Sequence, residues 1–116
     1  MDSNNQLDTV FLINEQLDYE TDDRRLVTVL RKQDHWIQRC ARKLRFRIPA
    51  YRRIEMDDFA SFVFLSIDGR RTVKEIGELL AEQYGEQINP LYERLLMFLN
   101  HIEQNERFIV RKVVRH

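Results

Sequence analysis

Three histidines, one cysteine and two Asp-Asp pairs are the side chains in this sequence that could do acid–base, metal or covalent chemistry, and their spacing supports none of it. His35, His101 and His116 stand far apart, without the i, i+3 or i, i+4 spacing that would set two imidazoles on one metal ion. Cys40 has no neighbouring histidine or glycine-rich turn to activate its thiol. As the sole cysteine it excludes an intrachain disulfide and fits a reducing compartment. Asp22-Asp23 and Asp57-Asp58 are explained by a turn and a helix cap. Catalysis is therefore not expected, and neither is a cofactor or metal of the chain's own. What remains is binding chemistry.

The sequence offers two binding features. Between Arg39 and Arg53 lie seven basic residues, Arg39, Arg42, Lys43, Arg45, Arg47, Arg52 and Arg53, with no acidic one and with Phe46 and Tyr51 interleaved. Such a run reads as a nucleic-acid footprint, a membrane-surface helix or a solvated or partner-facing patch. Against nucleic acid stands the charge of the helices that would form a helix-turn-helix: Lys74 and Arg94 face Glu75, Glu78, Glu82, Glu86 and Glu93, which would repel phosphates. A winged-helix DNA-binding regulator using residues 39–53 is thus the alternative reading, and nucleic acid is not the expected partner. The second feature is an apolar arc near the carboxyl end. Leu91, Leu95, Phe98, Leu99 and Ile102 recur at helical spacing, and Tyr92, Leu96 and Met97 widen that face beyond what one core contact needs. Either the rest of the fold covers the excess, or it walls a groove for a peptide.

The elements that must position these residues follow from period and punctuation. The chain has 116 residues, 43% hydrophobic and 33% charged, which suits one globular domain. Nineteen Lys and Arg balance nineteen Asp and Glu, so the molecule as a whole exerts no general pull on polyanions or anionic membranes. Met1–Asp8 lacks a signal pattern and no apolar run approaches the about 20 residues that span a bilayer, so a cytoplasmic protein without a membrane span is expected. Residues 1–15 are expected to be flexible. Gln16–Glu20, a turn at Thr21–Arg24, and Leu26–Leu30 predict a β-hairpin. His35–Leu44 sets Trp36, Ile37, Cys40, Ala41 and Leu44 on one side of a short basic amphipathic helix. Ile48-Pro49 ends it, and Tyr51–Met56 follows as a third strand.

Asp57 or Asp58 caps a helix whose interior, Phe59–Ile67, is apolar nearly all round, and Asp68-Gly69 is read as its left-handed stop. Thr72-Val73-Lys74-Glu75 matches a capping box and starts a second helix, with the stripe Val73, Ile76, Leu79, Leu80 and Tyr84 and a stop at Gly85. Asn89-Pro90 supplies a cap and a first-turn proline for a third helix running to about Gln104. Phe108–Val110 and Val113-Val114 favour a short terminal strand.

The run Asp57–Ile76, a helix ending in Asp68-Gly69 followed by polar residues and Thr72-Val73-Lys74-Glu75-Ile76, resembles the core pattern of the PqqD-like family. Tyr84-Gly85 and Leu91–Leu99 are also similar to that pattern, and the likeness covers residues 51–110. Asn105 stands where members often have Gly, and the basic helix 35–44 is an insertion absent from the shortest members. The resemblance implies an α+β, winged-helix-like domain with a three-stranded antiparallel sheet followed by a three-helix bundle. It implies a precursor-peptide recognition module of natural-product biosynthesis, which takes a leader peptide as an added strand between the third strand and the third helix. The site residues it implies are Tyr51, Arg52, Arg53, Ile54, Glu55 and Met56 on the strand, and Tyr92, Leu95, Leu96 and Leu99 on the helix. A peptide-modifying enzyme such as a radical SAM protein is the implied second partner, and a homodimer is left open. Arg52 and Arg53 have two readings: they attract an acidic leader, or they only blunt an edge strand against aggregation.

Overall fold

The computed structural model describes residues 6–32, 43 and 51–113. Along the chain it sets strands β1 (Phe11–Ile13), β2 (Asp18–Thr21), β3 (Val27–Lys32) and β4 (Tyr51–Glu55), and helices α1 (Asp58–Ser66), α2 (Val73–Tyr84) and α3 (Leu91–Asn100). Strand β5 (Ile109–Arg111) closes the series. Among the described residues the chain is thus α+β, with antiparallel sheets and these three α-helices. The expected basic helix 35–44 lies outside the described residues, apart from an exposed Lys43.

The hairpin forms where expected because its turn is held by one side chain. Asp22 Oδ1 accepts from the backbone amides of Arg24 and Leu26, each at 2.9 Å, and Arg25 sits at φ 64° in the left-handed region. Beyond the turn, Val27 and Val29 are fully buried and alternate with half-buried Thr28 and Leu30, the period of two of a sheet with one face on the core. The sheet order is β2-β3-β4, with Val29 opposite both Tyr19 and Ile54.

The second sheet corrects the expectation for the amino terminus. Phe11–Ile13, inside the stretch expected to be flexible, is a strand paired with β5, Leu12 opposite Val110. Backbone bonds extend that ribbon, from Asn14 N to Phe108 O at 2.9 Å and from Lys112 N to Val10 O at 2.8 Å. The amide of Val73 also reaches Thr9 O at 3.0 Å, tying the ribbon to the start of α2.

The helices follow their sequence signals with two differences. Asp57 caps α1 by accepting from Ala60 N at 2.8 Å. However, α1 ends at Ser66, before Asp68-Gly69, as Ile67 N turns back to Phe64 O. Asp68 organises the following turn instead, its Oδ1 accepting from Arg71 N at 2.8 Å and Arg70 N at 2.9 Å. Those bonds, the one from Arg71 foremost, hold its carboxyl below the ordinary carboxylate range. Gly69, at φ 79°, lies in that turn and packs against Leu12. The capping box of α2 is complete, with Glu75 N to Thr72 Oγ1 at 3.2 Å and Thr72 N to Glu75 Oε1 at 2.9 Å. The second difference is the start of α3: Pro90 occupies the capping position and Asn89 makes no side-chain cap. At its other end α3 runs on into a wider π-type turn, His101–Asn105. The left-handed residue after it is Arg107, at φ 60°, not Asn105.

The core joins both sheets to all three helices through Val27, Val29, Val63, Phe64, Ile76, Leu80, Leu95, Leu99, Phe108 and Ile109. Among the described residues one polar side chain is almost fully enclosed in it. Ser61 of α1, 1% exposed, accepts from Val27 N at 2.8 Å and donates to Met56 O at 3.4 Å. Its hydroxyl thereby spans the end of the β3–β4 ladder, where Met56 N also donates to Val27 O at 2.9 Å. Replacing Ser61 by Ala orphans a buried amide and should cost about 1–3 kcal/mol in urea denaturation. A loss below about 0.5 kcal/mol, ordinary for a surface position, would show that the bridge is not structural.

Candidate functional site

Strand β4 is an edge of its sheet among the described residues, and α3 lies across from it. Which of its backbone groups face outward follows from one bond. Because Met56 N donates inward to Val27 O, alternation along an antiparallel ladder turns Ile54 and Arg52 inward as well. The amides and carbonyls of Tyr51, Arg53 and Glu55 then point away from β3, and among the described residues no further strand pairs with them. The β2–β3 turn agrees: Asp22 N bonds to Leu26 O, so β3 faces β2 at Leu26 and Thr28, and faces β4 at Val27 and Val29.

Alongside that edge runs a groove of about 330 Å³, lined from the strand side by Ile54, Glu55 and Met56, from α1 by Phe59 and Ala60, and from α3 and the turn after it by Arg94, Phe98, His101 and Ile102. Its volume is at the lower end of the about 300–1,000 Å³ of ligand pockets, enough for one or two side chains of a peptide. The rings of Phe59 and Phe98 meet edge to face at 5.6 Å and both stay half-buried. They forgo part of the about 1.5–3 kcal/mol that complete burial of such a side chain is worth, which an incoming apolar group would recover.

The rim is polar and of mixed sign. Arg94 stacks its guanidinium 5.4 Å from the Phe59 ring centre and makes no ion pair among the described residues. At the far end Glu106 is bound by Arg31, Nη1 to Oε2 at 3.3 Å, while His101 Nε2 stands 3.7 Å from the other carboxylate oxygen. Arg31 also donates to the Glu106 carbonyl and lies over the Phe108 ring at 5.5 Å. Glu55 and Asp57 mark the end of β4.

The site residues expected from sequence fall into three groups. Ile54, Glu55 and Met56 line the groove, although Met56 is 8% exposed and belongs mostly to the core. Arg52 is exposed, and Arg53 is bound to Glu20 across the sheet at 2.6 Å. Tyr51 supplies the first residue of β4. On α3 the geometry turns the expected face: Leu95 and Leu99, 0% and 1% exposed, are core, and Leu96 is half-buried against it. Tyr92 packs on α2, where its hydroxyl donates to Lys74 O at 3.3 Å and its ring covers Gly77. Burial, then the Glu78 carboxylate, pushes its phenol above the ordinary value, so it stays a neutral donor. The groove takes instead Phe98, from the face expected to be core, with Arg94 and His101, for which the sequence predicts no site role. The helical period held the signal, since 94, 98 and 101 follow each other at i+4 and i+3.

The cations of the alternative nucleic-acid reading at Arg39, Arg42, Arg45 and Arg47 lie outside the described residues. No helix among the described residues is long and apolar enough to cross a membrane.

Compared with known proteins, residues 49–106 match the model of one family, described as coenzyme PQQ synthesis protein D (PqqD). The match contains β4, all three helices and the groove between β4 and α3. No curated protein and no solved structure matches the chain.

Placing Tyr92 on α2 has a measurable consequence. A Cβ at Gly77 would lie 2.7 Å from Tyr92 Cζ, so Gly77→Ala should overpack the interface by about 1–3 kcal/mol, more than the about 1 kcal/mol that alanine gains in a helix. In a Tyr92→Ala background the same change should become stabilising by about 0.5–1 kcal/mol. Denaturation of the four proteins reads the sign, and an unchanged sign would place Tyr92 elsewhere.

Proposed function

The chain belongs to the PqqD family, and from that premise we propose that it is a non-catalytic module which binds the leader segment of a precursor peptide and presents it to a separate modifying enzyme. The observation that supports this most directly is the juxtaposition of β4, a sheet edge among the described residues, with an apolar groove against α3. In this reading the leader adds to the domain as a strand. The outward groups of Tyr51, Arg53 and Glu55 bond its backbone, which gives affinity with little sequence preference. Specificity comes from alternate side chains dropping into the groove beside Phe59 and Phe98.

The residues we assign to the peptide are therefore Tyr51, Arg53 and Glu55 by their main chain, and Ile54, Phe59, Arg94 and Phe98 by their side chains. Tyr92, Leu95, Leu96 and Leu99 support the helix that carries the second wall. The reading takes the domain as winged-helix-like and needs no cofactor. Its second partner is a peptide-modifying enzyme of the radical SAM or another class.

The test uses the parity of the strand. Proline at Arg53 or Glu55 removes an outward amide, so the domain should stay folded while affinity for the leader of its cognate precursor peptide falls about five- to a hundred-fold, the worth of one hydrogen bond of about 1–3 kcal/mol. Proline at Ile54 removes an inward amide from the β3–β4 ladder and should cost the domain stability instead. Thermal denaturation and calorimetric titration of each variant separate the two effects. If Arg53→Pro and Glu55→Pro fold and bind as tightly as the parent, strand addition at this edge is wrong.

A further inference from the structure

A second cavity, of about 560 Å³, opens on another face of α1 and shares no lining residue with the groove. Its floor is apolar: Phe62 and Leu65 from α1 and Leu79 from α2, all half-buried. Its rim is cationic. Arg24 and Arg25 come from the β2–β3 turn and Arg71 from the turn before α2, against a single carboxylate, Asp58. Arg71 is engaged, donating to Ser66 O at 3.1 Å and lying 3.5 Å from Asp68. Arg24 and Arg25 are exposed and make no ion pair among the described residues.

Arg25 carries a second signal. It occupies a left-handed backbone position, φ 64°, where Gly or Asn would sit with less strain. The turn itself is already made by Asp22, so its geometry does not call for a long cationic side chain. An arginine held at a position that disfavours it, on the rim of an apolar cavity, points to a use for its charge.

We infer that this α1–α2 face is a second docking surface, for an acidic polypeptide segment that seats a leucine- or phenylalanine-sized side chain on Phe62, Leu65 and Leu79 and places carboxylates against Arg24 and Arg25. Charge complementarity selects that occupant: the whole chain is neutral, and with Arg71 engaged by Asp68 this rim still presents Arg24 and Arg25 against one lining aspartate, Asp58. A leader in the groove would leave this face open, so one domain could hold two polypeptides at once.

The probe is a fluorescein-labelled helical peptide with two leucines at i and i+4 among glutamates, with its counterpart carrying lysine for each glutamate. Fluorescence anisotropy should show saturable binding of the acidic peptide and weaker binding of the lysine one. Amide shifts in a two-dimensional NMR titration should gather at Phe62, Leu65 and Leu79. Arg24→Gln and Arg25→Gly should each weaken binding about two- to five-fold, the range of an exposed ion pair. Arg25→Gly relieves the backbone strain, so it should keep the fold and lose only the charge. Equal binding of the lysine peptide, shifts confined to Phe98 and His101, or full affinity in the folded arginine variants would each overturn the proposal. So would a short DNA duplex that displaces the peptide at equal concentration, since that marks a general anion patch.

Discussion

The bridge made by the Ser61 hydroxyl is the contact on which the geometry of the groove depends. A hydroxyl taken from water into an apolar core costs about 1–3 kcal/mol unless both its roles are filled, and here Val27 N donates to it and Met56 O accepts from it. The bridge makes α1 continuous with the end of the β3–β4 ladder. With nine residues, α1 is well below the about 12–15 that an isolated helix needs, so it exists through such contacts. Asp57 completes the joint. It follows Met56 directly and caps α1, so the edge strand passes into the helix without slack. The distance between β4 and the Phe59 ring is therefore fixed from both ends.

That joint explains why α1 is apolar nearly all round, which one buried face would not require. One side, with Val63 and Phe64, enters the core; a second, with Phe59 and Ala60, floors the groove; a third, with Phe62 and Leu65, floors the other cavity. The sequence shows such a helix as a uniform hydrophobic run. Periodicity reports how much of a helix is covered, and it cannot say by what.

The same limit decides what was legible at the site. Turn and cap chemistry is local, so the Asp22 turn, the Asp57 cap and the Thr72–Glu75 box could be read from a few residues each, and the strand Tyr51–Glu55 from its proline boundary. The apolar excess on α3 was also legible. Its assignment was not, because Tyr92 finds Gly77, a position with no side chain to announce a contact, and Phe98, read as core, turns to Phe59. The β1–β5 pair was invisible for a different reason. Strand pairing between residues about a hundred positions apart leaves no periodic trace in a three-residue strand. Asp68-Gly69 misled because a positive φ serves a turn as well as a helix end, and here Asp68 binds two amides beyond the helix.

Charge divides the groove by function. Arg53, which the sequence offered as bait for an acidic peptide, is bound to Glu20 across the sheet, and this ion pair joins both edges of the sheet around β3. Arg31 is likewise bound, closing the far end of the groove by holding Glu106 with both its side chain and its carbonyl. What is left facing the opening is Arg94, stacked on Phe59, where a planar cation keeps its charge while its stem and face remain in apolar contact. If a peptide adds at β4 as proposed, the strand edge bonds its backbone and is blind to sequence. Under that proposal discrimination comes from the Phe59–Phe98 floor and from Arg94, one selecting for apolar size and the other for a carboxylate or carbonyl within its reach.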